Sequence, residues 1–128
     1  MSQRLVLPDT NILILASQGK FDLLVLFEQY DDILISMVSK VEALGFNFID
    51  SNEEQLLLDY LQDLTVLPFG EAEAQHAIAY RKLPKKIKFP DAAILATARA
   101  AGADLLTQNT ADFRGLDPAV RVLSIQDL

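Results

Sequence analysis

The chain has 128 residues, no cysteine, and 11 basic against 18 acidic side chains, a net charge of −7. The missing cysteine excludes a disulfide framework, a zinc–thiolate site and a cysteine nucleophile, and the acidic balance argues against nucleic-acid binding through a broad basic face. With 51% hydrophobic and 23% charged residues, the composition is globular, and a chain of this mass buries roughly two-thirds of its surface around one core. One domain spanning residues 1–128 is therefore expected.

Arg4–Leu7 is a short apolar run stopped by Pro8 and reads as a buried strand. Asp9 or Thr10 can cap the helix that follows through Ile12–Ala16. A second helix fits Lys20–Tyr30, with Phe21, Leu24 and Phe27 near one face. Ile33–Met37 reads as a strand and Val38–Phe46 as a helix capped by Ser39, with Val41 and Leu44 toward the core. Ser51 and Glu54 form a capping-box pattern before Leu56–Leu61. Thr65–Leu67 is a third strand, and Glu71–Arg81 is a helix whose acidic start and basic end match the helix dipole. Pro90–Ala101 is the clearest helix, alanine-rich, with proline at its start and Gly102 beyond its end. Asp104–Thr107 and Val120–Ser124 complete the strands.

Strands alternating with helices predict an α/β fold, a five-stranded parallel sheet with helices on both faces. The longest apolar runs, such as Ile12–Ala16 and Leu23–Phe27, are far below a membrane span, and Asp9 interrupts the N-terminus before a signal-type apolar region forms. No membrane association and a cytoplasmic location are expected. Leu23, Leu24, Leu26 and Phe27, with Leu56–Leu58, supply more apolar surface than one helix face needs. That surplus predicts a homodimer and a groove for a partner peptide.

In a parallel sheet, sites form beyond the carboxyl ends of the strands. Asp9 follows the first strand, Asn109 and Asp112 follow the fourth, Glu42 lies on the helix after the second, and Asp91 opens the alanine-rich helix. Each has an ordinary reading as a helix cap, a dipole partner or a turn former. Taken together they place four carboxylates and an amide where one cleft can form. Clustered carboxylates repel unless a cation compensates them, and oxygen donors without histidine or cysteine select a hard ion, Mg²⁺ or Mn²⁺. Such an ion activates water and neutralises charge developing on a phosphodiester. The single histidine, His76, sits mid-helix with no nucleophile beside it in sequence, and no glycine-rich phosphate loop occurs. Five cations, Arg81, Lys82, Lys85, Lys86 and Lys88, gather in one stretch that Pro84 and Pro90 keep from being a continuous helix. That stretch is either a solvated loop or a phosphate-contacting one.

The segments LVLPDTNILI, ISMVSKVEALGF, IKFPDAAILATARAAG and LLTQNTADF, in this order and spacing, resemble the PIN-domain ribonucleases, in particular the toxins of VapBC-type toxin–antitoxin pairs. The resemblance covers nearly the whole chain. It implies a Rossmann-like parallel sheet, Mg²⁺- or Mn²⁺-dependent cleavage of RNA, and a cognate antitoxin as partner. By position, Asp9 matches the first acid of the D-x-N motif with Asn11 as its supporting polar residue, Glu42 the acid on the helix after the second strand, and Asp91 the acid of P-D-A. Asn109 and Asp112 match T-x-N-x-x-D-F. Asn109 is neutral where many relatives carry aspartate, which leaves Asp112 to supply the charge. The implied roles are metal binding and catalysis by Asp9, Glu42, Asp91 and Asp112, and support from Asn11, Thr107 and Asn109. Arg81, Lys85, Lys86 and Lys88 are the candidates for contacting RNA.

Two rival classes remain at this level. A phosphoacceptor signalling domain also uses an acidic pocket and Mg²⁺ on a parallel sheet, but it needs a lysine after the last strand, and Ser124–Leu128 has none. A catalytically inactive interaction module is disfavoured by the intact set of acids.

Overall fold

The computed structural model describes residues 3–128. Five parallel strands, β1 (Leu5–Pro8), β2 (Asp32–Ser36), β3 (Thr65–Leu67), β4 (Asp104–Leu106) and β5 (Val122–Leu123), form one sheet in the order β3-β2-β1-β4-β5. The helices are α1 (Thr10–Ser17), α2 (Met37–Leu44), α3 (Ser51–Asp63), α4 (Glu71–Arg81), α5 (Phe89–Ala101) and α6 (Thr110–Phe113). The expected α/β sheet is thus present, with strand and helix limits displaced by a residue or two.

Side chains alternate across each strand, and the alternation divides the core. Val6, Ile33, Ile35 and Leu106 point to one face, where α1 and α3 cover them with Ile12, Leu13, Leu57 and Leu61. Leu7, Leu34 and Leu105 point to the other, where α4, α5 and α6 supply Ala77, Leu95 and Phe113. Seven consecutive residues of α5, Ala92–Ala98, are buried. Their small side chains let the helix lie close on the sheet while α4 packs against its outer side. Gly102 ends α5 with φ 69°, a left-handed conformation that a side chain would strain.

Several local expectations are corrected. The segment read as a helix over Lys20–Tyr30 is a 3-10 helix, Leu23–Glu28, with Asp22 accepting from the Leu24 N–H at 3.0 Å. Leu23 and Leu26 are spaced by one 3-10 turn and take the buried positions, whereas Leu24 and Phe27 face solvent. The predicted Phe21, Leu24 and Phe27 face is therefore out of phase, although Phe21 does pack on the core. Part of the apolar surplus read as an interface belongs to the core as well: Leu23, Leu26 and Leu57 are buried and Leu58 is half-buried, leaving Leu24, Phe27 and Leu56 exposed.

The cap of α2 is Ser36, whose hydroxyl accepts from the Val38 N–H at 3.1 Å; Ser39 is fully buried inside the helix. That start turns Ser39 and Ala43 inward and leaves Val41 66% exposed, against the expectation that Val41 faces the core. Asp50, not Ser51, caps α3, because its carboxylate reaches the Asn52 N–H at 2.9 Å. The short α6 and the closing 3-10 turn Ile125–Asp127 carry too few residues to show a helical period in sequence. No helix among the described residues is long and apolar enough to cross a membrane.

Candidate active site

The chain leaves β1 toward β2 on one side of the sheet, while β4 pairs with β1 on the other. The carboxyl ends of β1 and β4 therefore flank the point where the winding reverses, and a crevice opens there. Asp9 and Thr107 are the first residues beyond those two ends. The Asp9 N–H donates to the Leu106 carbonyl at 2.9 Å, continuing the ladder by one step. Asp9 is 5% exposed and caps α1: Oδ1 accepts from the Ile12 N–H at 3.1 Å, and Oδ2 accepts from the fully buried Thr107 hydroxyl. Thr107 in turn accepts from the Asn109 N–H at 3.0 Å, so one hydroxyl fixes both Asp9 and the turn leading into α6.

Three further elements bring acids to the same crevice. Pro90 pre-sets the backbone at the start of α5, and Asp91 follows in its first turn. Glu42 projects from α2, where the Thr10 hydroxyl donates to its Oε1 at 2.6 Å and lies 3.2 Å from the buried Ser39 hydroxyl. Asp112 is carried by α6. Asp9, Asn11, Glu42, Asp91, Asn109 and Asp112 all line a cleft of about 410 Å³. Lys85, Lys86 and Lys88 line it from the loop between α4 and α5.

Arg81 does not line this cleft. Its guanidinium is engaged by the Ile87 carbonyl at 2.8 Å and braces the loop from within. Thr10 was not singled out from sequence. Its bond to Glu42 joins residues 32 apart in the chain, and its only local signal is adjacency to Asp9.

The carboxylates are held against their electrostatic preference. Burial pushes the Asp9 carboxyl above the usual range; the bonds from Thr107 and Ile12 oppose it, and the nearby Asp91 charge adds to it. Burial also raises Asp91, followed by repulsion from Glu42 and Asp112, with Lys88 pulling the other way. Among the described residues the salt bridges are Arg99–Asp117 and Arg121–Asp104, so no cleft carboxylate has a cation of the chain paired to it. Nor do three or more His, Cys, Asp or Glu side chains among those residues come together as a group that could hold a metal ion. The cleft acids offer oxygen donors and uncompensated charge, a chemistry suited to a hard divalent cation.

The PIN domain family model matches residues 6–117. A toxin–antitoxin complex from Klebsiella pneumoniae contains a chain 32% identical to this one, with 90% of this chain and 94% of that chain covered and a TM-score of 0.73. VapBC2 from Rickettsia felis, bound to a DNA fragment from their promoter, aligns at 21% identity over 94% of this chain and 98% of that chain, with a TM-score of 0.77. DNA-bound VapBC from Salmonella typhimurium aligns at 18% identity over 96% and 98%, with a TM-score of 0.78. At these lower identities the likeness is one of fold. No curated protein matches the chain. The matched family model, spanning all six acidic and amide positions of the cleft from Asp9 to Asp112, shows that the chain belongs to the PIN-domain family.

Proposed function

We propose that this chain is a divalent-metal-dependent endoribonuclease, the toxin of a VapBC-type pair acting in the bacterial cytoplasm, and that residues 1–128 form one such domain. The observation that carries the reading is the convergence of Asp9, Glu42, Asp91 and Asp112 on one cleft with no cation of the chain to neutralise them. Its partners are an RNA substrate and an antitoxin, as toxin–antitoxin complexes among the relatives support. A homodimer would form through exposed apolar side chains such as Leu24, Phe27 and Leu56.

Asp9 and Asp91 would hold Mg²⁺ or Mn²⁺, with Glu42 and Asp112 completing the donors. When bound, the ion lowers the pKa of water and offsets charge on the phosphate. The chain's residues do the rest. Thr107 keeps Asp9 in one orientation, and Thr10 does the same for Glu42. Asn109 and Asn11 orient polar groups at the cleft without accepting a proton, since an amide is no base. Lys86 and Lys88 oppose the repulsion that the carboxylates exert on a phosphodiester.

The test is cleavage of RNA with Mg²⁺ or Mn²⁺ against cleavage in excess EDTA. Loss of activity on chelation, restored by either ion, is expected. Full activity in EDTA overturns the metal assignment, and neither cleavage nor Mn²⁺ binding by calorimetry would leave the chain a partner-binding module.

Two smaller predictions accompany this reading. Thr107→Val removes the donor to Asp9 and the acceptor for the Asn109 N–H. Cleavage should fall by about 10- to 100-fold, as for other residues that orient a metal ligand, whereas Thr107→Ser should retain it. Single-turnover cleavage of the two variants checks this. The double change Lys86→Ala with Lys88→Ala should flatten the salt dependence of RNA binding by up to about 1.4 units in the log–log slope, roughly 0.7 per lost phosphate contact. An unchanged slope would make these lysines solubilising residues only.

A further inference from the structure

The loop between α4 and α5 carries one lysine that behaves unlike its neighbours. The Lys85 ammonium donates to the Ala111 carbonyl at 2.5 Å and to the Arg114 carbonyl at 3.0 Å. Those carbonyls lie on either side of Asp112–Phe113. Lys86 and Lys88 line the same cleft and make no side-chain hydrogen bond or ion pair among the described residues.

The bridge falls where α6 most needs it. A helix of four residues gains few internal hydrogen bonds against the cost of nucleation, and Asn109 gives it no side-chain cap. The Thr110 and Phe113 carbonyls accept from the Arg114 and Leu116 N–H groups, but the Ala111 carbonyl takes no such bond beyond the helix, and a cation at this end is electrostatically favoured. Phe113, 2% exposed, anchors one side of α6 to the core. Asp112 lies on the exposed side and makes no side-chain hydrogen bond among the described residues, so its position is set by the backbone that carries it. The loop on the lysine's side is itself held: Pro84, immediately before Lys85, has its φ fixed by its ring, and Arg81 donates to the Ile87 carbonyl.

We propose that Lys85 is a positioning residue, a latch from the α4–α5 loop that holds α6 and thereby the Asp112 carboxylate at the cleft, and that it is not a contact for the RNA backbone. This rests on the reading of Asp112 as part of the catalytic acid set, but the latch itself is a property of the protein without metal or RNA. Lys85 thus leaves the group of RNA-contacting candidates, in which Lys86 and Lys88 remain.

The test compares Lys85→Met with Lys86→Met by amide hydrogen exchange in EDTA, without RNA, followed by salt-dependent RNA binding. In Lys85→Met, exchange at residues 110–114 should accelerate about ten-fold or more, since an ordered two-acceptor bridge from a charged donor is lost. Exchange within α5 should stay unchanged, and the salt slope of RNA binding should stay that of the unsubstituted chain. Lys86→Met should do the reverse: unchanged exchange and a shallower slope. In cleavage, Lys85→Met should lower kcat with little change in KM, and Lys85→Arg should recover both exchange protection and rate. Unaltered exchange at 110–114, acceleration spread equally through α5, or a salt slope that falls as in Lys86→Met overturns the latch. Failure of the nuclease reading would abolish the cleavage and RNA-binding comparisons, and the exchange result, read without metal or RNA, would still decide the matter.

Discussion

Asp9→Asn and Asp91→Asn are each expected to lower RNA cleavage by roughly two orders of magnitude or more while raising the thermal unfolding midpoint of the metal-free protein. The two effects have one cause. Burial raises both carboxyls above their ordinary range, and for Asp91 the charges of Glu42 and Asp112 add to the burial. A carboxyl raised in the folded state gives stability that is fully present below its unfolded pKa and is lost as pH rises through the folded value. At neutral pH the ionised pair therefore works against folding, and a neutral amide of the same shape relieves it. At position 9 an asparagine can still cap α1, because its Oδ1 can accept from the Ile12 N–H as the aspartate does. Binding of Mg²⁺ to the folded state alone must stabilise the unsubstituted chain in proportion to the logarithm of ion concentration, and the variants should show little of that gain. Thermal melts in EDTA and in a Mg²⁺ series, beside cleavage rates, check all of this. Wild-type cleavage by either variant would remove that residue from the site.

The opposition between stability and the acid set explains the surroundings of Asp9. A buried carboxylate without an ion partner persists only if hydrogen bonds hold it. Here the bonds come from the first turn of α1 and from a threonine at the adjoining strand end. The first is local to the helix cap, three residues on, but the second is a consequence of topology: β1 and β4 must be neighbours before Thr107 can reach Asp9 across 98 residues of sequence. The family's fold thus positions the acid and supplies its support at the same point.

What could be read from sequence follows the range of the interactions involved. The strands were legible as apolar runs, and α4 and α5 through their charged ends, proline and glycine, because those signals are local. The 3-10 helix Leu23–Glu28 was not, since a three-residue and a 3.6-residue period diverge little over six residues. Ser36 and Ser39 are both plausible caps by type, and the choice depends on where β2 ends. The acids Asp9, Glu42, Asp91 and Asp112 were legible as a convergent set because each follows a strand or opens a helix at the sheet's carboxyl edge. The hydroxyl of Thr10 on Glu42 and the ammonium of Lys85 on α6 leave no such trace, because they join segments 26 to 32 residues apart. Composition alone could not separate Lys85 from Lys86, nor show that Arg81 is spent on its own loop.

Asp117→Ala is expected to destabilise the protein by about 2 kcal/mol, mostly the cost of leaving the buried Tyr80 hydroxyl without its acceptor, with a smaller part from the solvent-exposed Arg99, and with the cleft's chemistry intact. Asp117 accepts from the Tyr80 hydroxyl of α4, from Arg99 Nη1 on α5 at 2.8 Å to Oδ1 and 3.0 Å to Oδ2, and from the Ala119 N–H at 2.9 Å. It thus ties the two helices that flank the basic loop to the segment following α6. Tyr80 is 4% exposed, so removal of the carboxylate leaves its hydroxyl without a partner of the chain. Burial raises the Asp117 carboxyl, but the bonds from Tyr80, Ala119 and Arg99 outweigh it and bring it below the ordinary range. A carboxyl lowered in the folded state gives stability present above its unfolded pKa, about 3.9, and lost as pH falls through the lower folded value. Urea unfolding should therefore show the unsubstituted chain losing stability as pH falls below about 4, with a shallower fall in Asp117→Ala. Tyr80→Phe separates the contributions: it removes the donor and leaves the carboxylate with Arg99, so it should cost about 1 kcal/mol. A loss in Asp117→Ala no greater than that of Tyr80→Phe would mean that Arg99, which is largely exposed, contributes nothing and that the tie is the single phenol–carboxylate bond.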